Sequence, residues 1–145
     1  MIIGTGIGGH NDIVEFNVTT NFWCNSCKDL EQTIDPRAGE NVRIDKIPML
    51  SLDTLLGMFQ QPINFLKADI EGSELEAFLL CDEIQLAKVK NMAIAAYHMV
   101  DGKQTVDTIQ YVLDNQGYKT IKECEPYNGF PGYTLVYATQ EEWKC

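Results

Sequence analysis

A chain of 145 residues with 45% hydrophobic and 22% charged residues has the size and composition of one globular domain with its own core. Its net charge of −10 would repel phosphate backbones and anionic lipid surfaces, which argues against nucleic acid or a membrane as partner. No apolar run approaches the roughly 20 residues that span a bilayer, and the first residues carry no secretory pattern, so the cytoplasm is the expected compartment.

Gly4, Gly6, Gly8 and Gly9 fall within GTGIGG, a spacing like that of a nucleotide-cradling loop. Such a loop must lead into a helix, whose first N–H groups hold the phosphate. Here the next segment is Ile13 to Val18, alternating apolar and polar with β-branched positions, which predicts a strand. The glycines therefore read as a turn. A polar stretch from Thr19 to Asn41 comes next, broken by Pro36 and Gly39 and holding Cys24 and Cys27. Five cysteines, an odd number, with one CxxC and no second pair predict ordinary thiols rather than a disulfide framework, a zinc ribbon or a redox centre. Val42 to Ile47 predicts a short strand, and Ser51 caps a short helix in SLDTLLGMF, with Asp53 favourably placed at its start.

The second half is more regular. Ile63 to Ile70 predicts a strand, and Ser73-x-x-Glu76 a capping box opening a helix to about Gln85, with Leu75, Phe78 and Leu79 as its apolar face. Val89 to His98 centres on MAIAAY, a strand buried on both faces. A helix from about Gln104 to Gln116 turns Val106, Ile109, Val112 and Leu113 inward and stops at Gly117. Lys119 to Glu125 and Tyr133 to Thr139 predict two strands joined as an antiparallel hairpin. The βαβ rhythm predicts a mainly parallel sheet with an antiparallel edge. In such sheets ligands gather at the C-terminal strand ends, here Asp69-Ile70-Glu71-Gly72 and Tyr97-His98. Glu71, Ser73, Glu74 and Glu76 suit a helix start. Asp69, between Ala68 and Ile70 in a strand, is costly unless paired or set in a cleft, which marks it as functional.

LKADIEGSELEAFL (Leu66 to Leu79) resembles the K-I-D-[IV]-E-G-x-E signature of FkbM-type methyltransferases. Upstream, Leu52, Asp53 and Leu55 resemble the family's LD-x-L segment. Downstream, MAIAAYH is similar to its next strand, and Leu113, Gly117 and Tyr118 to its L-x-x-x-G-Y helix end. The similarity runs from about Ile3 to Ala138 in the same order and spacing. Ala96 departs from it, standing where many members carry a glutamate.

The resemblance implies a Rossmann-like class I methyltransferase sheet and a single domain over residues 1–145, with a substrate-side insertion around residues 13–50. It implies methyl transfer from S-adenosylmethionine, with O-methylation of a small hydroxylated acceptor (a sugar or natural product) as the expected reaction. Asp69, Glu71 and His98 are the implied catalytic residues, His98 as base or acceptor-orienting group, though a lone histidine equally suits a structural role. Asp69, Ile70 and Gly72 would meet the cofactor, and Glu74 and Tyr97 the acceptor. Phe22, Trp23 and Tyr127 fit either an acceptor lining or plain packing. Paired carboxylates permit a metal, but nothing in the spacing demands one, and none is expected. In register with the family, IIGTGIGGHNDIVEFNV is the end of the third strand and the strand after it. Two βα units, about 60 to 100 residues by ordinary unit size, are then expected upstream, whether the gene is truncated, split or degenerate. The chain alone is expected to bind S-adenosylmethionine weakly or not at all, and a partner chain supplying or covering the missing part is one way to complete the site. A non-catalytic interaction module on the same scaffold is the alternative.

Overall fold

A computed structural model of the chain describes residues 4–20, 25–27, 41–100, 102–127 and 130–141. Cys24, Phe22 and Trp23 lie outside them. The first sheet joins β1 (Gly6–Gly8), β3 (Asn41–Ser51) and β2 (Asp12–Thr19), in the order β1-β3-β2. β1 runs parallel to β3 and β2 antiparallel to it. β3 extends well beyond Ile47, straight through Pro48. Because β1 covers β3 only from Met49 onward, the strand has a single neighbour at Pro48 and tolerates the missing donor there.

The glycines of the first segment serve packing. β1 is followed by β2, with no helix between them. A Cβ on Gly8 would meet the Met49 sulfur at 2.5 Å, and one on Gly9 would lie 2.5 Å from Glu76 Cγ and 2.9 Å from Leu80 Cδ1. Gly6–Gly8 thus form a strand where a turn was expected, and what Gly8 and Gly9 permit is a close approach of backbone to side chains.

Helix α1 (Leu52–Gly57) starts at Ser51, whose side chain accepts from the Thr54 N–H. The strand expected over Ile63 to Ile70 contracts to β4 (Leu66–Ala68), preceded by an isolated bridge from Ile63 to Val89. Between them the Asn91 side-chain amide donates to the Asn64 carbonyl, replacing a ladder bond. The single helix expected to reach Gln85 is two: α2 (Glu74–Leu79) and α3 (Glu83–Leu86). Asp82 divides them, its carboxylate accepting from the Ile84 N–H at 2.7 Å to begin a new helix. Phe78 is buried and Leu75 packs on the core, but Leu79 faces solvent. The capping box does not form. Ser73 makes no side-chain cap bond, and Glu76 reaches His10 at 3.2 Å.

β5 (Asn91–Ala95) is buried on both faces, as MAIAAY predicts. A small ribbon of β6 (Met99–Val100) and β7 (Lys103–Gln104) leads to α4 (Val106–Asn115), which turns Val106, Ile109 and Leu113 inward. Gly117 adopts φ +84° and ends the helix. β8 (Lys119–Tyr127) and β9 (Phe130–Thr139) form the expected antiparallel hairpin. It is β9, not β8, that pairs with β5, giving the order β4-β5-β9-β8. Only β4 and β5 are parallel in this sheet. The architecture is therefore mixed α/β with small mixed sheets, which corrects the mainly parallel expectation.

The core gathers Phe78, Leu86, Val89, Met92, Ile94, Ile109, Leu113 and Val136 between β5, β9 and the helices. Tyr118 fastens it at the far end from the strand tips. Its hydroxyl lies 2.7 Å from the Leu86 carbonyl and 2.6 Å from that of Val89, and Gln140 approaches it at 3.2 Å. Burial drives its phenol pKa upward, so it stays a donor. Tyr118→Phe should cost about 1–3 kcal/mol by taking the hydroxyl donor from the Val89 carbonyl, while the Leu86 carbonyl keeps the Val89 N–H at 2.9 Å; it is measured as a lowered urea midpoint with an unchanged slope.

Candidate functional site

The C-terminal ends of β4 and β5 lie side by side, because the two strands pair in parallel from Leu66↔Met92 to Ala68↔Ile94. Beyond β4 the chain turns through Asp69, Ile70, Glu71 and Gly72 into α2. Beyond β5 it continues through Ala96, Tyr97 and His98. The expected meeting of Asp69, Glu71, Tyr97 and His98 results from this register.

The turn is made by two left-handed residues in succession, Glu71 at φ +54° and Gly72 at φ +94°. Glycine adopts such a conformation freely, whereas for glutamate it is strained. Glu74 holds the turn closed. Its carboxylate accepts the Ile70 N–H at 2.5 Å through Oε1 and the Gly72 N–H at 2.9 Å through Oε2. The Ser26 hydroxyl donates to the Glu71 carbonyl at 2.8 Å, tying the segment 25–27 to the same turn.

Glu74 is 0% exposed. Expected at the acceptor, it is instead a clamp inside the turn, with both oxygens directed at backbone. Beside it stands His98, with 9% of its side chain exposed, Nδ1 at 3.2 Å from Glu74 Oε2 and Nε2 at 3.4 Å from Glu71 Oε2. Neither ring nitrogen makes an aligned hydrogen bond, so these are ion-pair contacts. Burial pulls the His98 pKa down, but Glu71 and Glu74 outweigh it and raise it to about 9. Burial likewise pushes the Glu74 carboxyl upward, and His98 with the Ile70 N–H more than reverses it, holding the group below its usual value. In this geometry His98 is an imidazolium at neutral pH and Glu74 a carboxylate.

Asp69 sits at the open side of the cluster. Its Oδ1 accepts from the Tyr97 hydroxyl at 3.2 Å, and its Oδ2 pairs with Lys67 at 3.3 Å. The Tyr97 ring tilts over His98 with centroids 4.3 Å apart and meets Tyr133 edge-on at 5.0 Å. Burial and the neighbouring charges of Asp69 and Glu71 drive the Tyr97 pKa strongly upward, which keeps the phenol protonated as a donor. Ala96, where a glutamate is common in the resembled family, is fully buried under Thr134, whose carbonyl accepts its N–H at 2.9 Å.

The site is thus an anionic cluster at adjacent strand ends. Three carboxylates face one imidazolium and one exposed lysine, and the excess of negative charge suits a cationic ligand group. Cys81 is buried and forms no disulfide. Burial, with Asp53 and Asp82 nearby, pushes the Cys81 thiol up to about 12, so it is inert. No helix among the described residues is long and apolar enough to cross a membrane.

Neither the curated proteins nor the solved structures include a match to this chain. The family model of the methyltransferase FkbM domain matches residues 3–120, taking in the first sheet, the β4–α2 turn, β5, His98 and α4. On that match over most of its length, the chain belongs to the FkbM methyltransferase domain family.

Proposed function

We propose that this chain carries the acceptor side of an S-adenosylmethionine-dependent methyl-transfer site, acting on the oxygen of a small hydroxylated molecule such as a sugar or natural product. The observation that carries the reading is the convergence of Asp69, Glu71, Tyr97 and His98 at two adjacent strand ends in a chain of this family. Methyl transfer is an in-line displacement at carbon, and its main demand is alignment of acceptor, methyl group and leaving sulfur. S-adenosylmethionine supplies the methyl group on a sulfonium, whose positive charge the anionic cluster favours through Asp69, with Ile70 and Gly72 at the cofactor side.

The electrostatics divides the remaining roles. An imidazolium has no free lone pair, so His98 orients the acceptor rather than taking its proton. Tyr97 donates to Asp69 and fixes the direction of that carboxylate. Glu71 and Asp69, both reachable from solvent, are then the groups able to accept the hydroxyl proton.

The test is transfer of label from S-adenosylmethionine with a tritiated methyl group to a panel of sugars and hydroxylated natural products. It is run with the protein that carries this chain. Label should reach an acceptor oxygen, and Asp69→Asn should slow the transfer about 100-fold or more while the protein stays folded. An unchanged rate in that variant would remove Asp69 from the mechanism. Complete absence of transfer by folded protein would favour the non-catalytic interaction module.

A further inference from the structure

We propose that Asp69, Glu74 and His98 form a binding site for a divalent first-row transition cation, with Mn2+ and Zn2+ the best chemical fits. One ligand atom from each of the three residues lies within 4.8 Å of the others. Metal–ligand bonds of about 2.1 Å place three ligand atoms roughly 3.0–3.6 Å apart. Glu74 Oε2 and His98 Nδ1 already stand at 3.2 Å, and side-chain adjustments of up to about 1 Å close the site. The second observation is His98 itself. Its ring is nine-tenths buried and set between two carboxylates, yet neither nitrogen has an aligned hydrogen bond. A buried ring left so near two carboxylate oxygens without a directed bond has the arrangement of a ligand waiting for a central ion.

The donor set selects the ion. Two carboxylate oxygens alone would suit Mg2+ or Ca2+, but a nitrogen donor shifts preference towards transition ions. Glu74 is already oriented by the Ile70 and Gly72 N–H groups, an outer shell of the kind that fixes ligating carboxylates. Each of its oxygens keeps a lone pair for a cation. Asp69, at the open side, gives an entry path and leaves coordination positions for water or an acceptor hydroxyl. Its partners Lys67 and Tyr97 must yield part of their hold, and the Lys67 pair is solvent-exposed and weak. On binding, the imidazole proton passes to solvent and the cation takes its place between the carboxylates. The sequence could not show this set, because Glu74 reads there as a helix-start acid.

The experiment titrates Mn2+ into the full chain at 0.15 M salt, without S-adenosylmethionine or acceptor, and reads free Mn2+ by electron paramagnetic resonance. Its outcome is therefore independent of the methyl-transfer reading. One site per chain is expected. Asp69→Asn and His98→Gln should each weaken it at least 10-fold, with circular dichroism confirming the fold. Asp53→Asn combined with Asp82→Asn, in the acidic hollow near Gly9 and Ser51, should leave it unchanged. In nuclear magnetic resonance spectra the His98 ring signals should broaden first, and Mg2+ should compete at least 10-fold less well than Zn2+. No binding by the folded chain at millimolar Mn2+ would overturn the proposal. So would equal affinity in both site variants, which would mean diffuse attraction to the net charge of −10.

Discussion

Replacing Glu74 by alanine is expected to destabilise the protein by about 3–5 kcal/mol, the usual cost of removing one member of a buried ion pair. Two N–H groups lose their acceptor and His98 loses one of its two carboxylates. The N–H groups of Ile70 and Gly72 have Glu74 as acceptor, and His98 would face Glu71 alone. The Gly72 donor is buried and the Ile70 donor part-buried; a buried donor without an acceptor carries a desolvation cost of about 1–3 kcal/mol, so part of the turn should open to water and relieve some of it. Glu74→Gln keeps the shape and one acceptor oxygen, but turns an amide NH2 towards the second donor and removes the charge beside His98. It should fall roughly midway between wild type and alanine. Urea unfolding followed by far-ultraviolet circular dichroism measures both. A Glu74→Ala midpoint corresponding to less than about 1 kcal/mol would show that the clamp is incidental to the fold.

The second large effect is in pH. In the metal-free protein, kept so with a chelator, folding raises the His98 pKa from 6.5 to about 9. The folded state therefore holds this proton more tightly than the unfolded chain, and stability falls as pH rises through the interval. Below pH 6.5 both states are protonated and the full contribution is present. Between 6.5 and 9 the unfolded chain has released the proton and the folded one has not, so the contribution is lost progressively. A rise of this size corresponds to about 3 kcal/mol. Glu74 acts in the opposite sense: its lowered pKa gives stability above 4.5 that disappears in more acid solution. Stability should thus be greatest near pH 5–6 and decline on the alkaline side. Glu71 and Glu74 face the ring from the turn and from α2, and Tyr97 covers it without titrating in this range. His98→Gln should flatten the alkaline decline. If the decline persists in that variant, another group is responsible.

The site was legible wherever backbone periodicity placed it. Asp69 was marked as an acid inside an apolar strand, although the strand ends at Ala68 and Asp69 lies exposed just beyond it; Gly72 announced the tight turn, and the strand-end rule brought Tyr97 and His98 beside them. The clamp made by Glu74 was not legible, because its position in a helix's first turn already has an adequate local explanation. The fact that decides its role, two amide donors exposed by a left-handed turn, depends on the φ angle of Glu71, which no pattern of residue types encodes. The hairpin was readable from turn residues, but the insertion of β9 between β5 and β8 is a long-range choice with no local signal. Likewise, Ser73 and Asp82 are both good helix starters by type. Only Asp82 forms its bond: its backbone is extended, the conformation from which a cap side chain reaches the helix amides, whereas Ser73 is already in the helical region.

Glu71 combines a backbone conformation that favours glycine with a carboxylate 3.4 Å from His98. A glycine there would relax the backbone by roughly 1 kcal/mol while deleting a charge from the cluster. The residue thus stands where fold stability and ligand chemistry pull in opposite directions. A search for more stable variants that screens thermal midpoint alone would be drawn to this position, and each gain there would come with a loss of the cluster's negative charge.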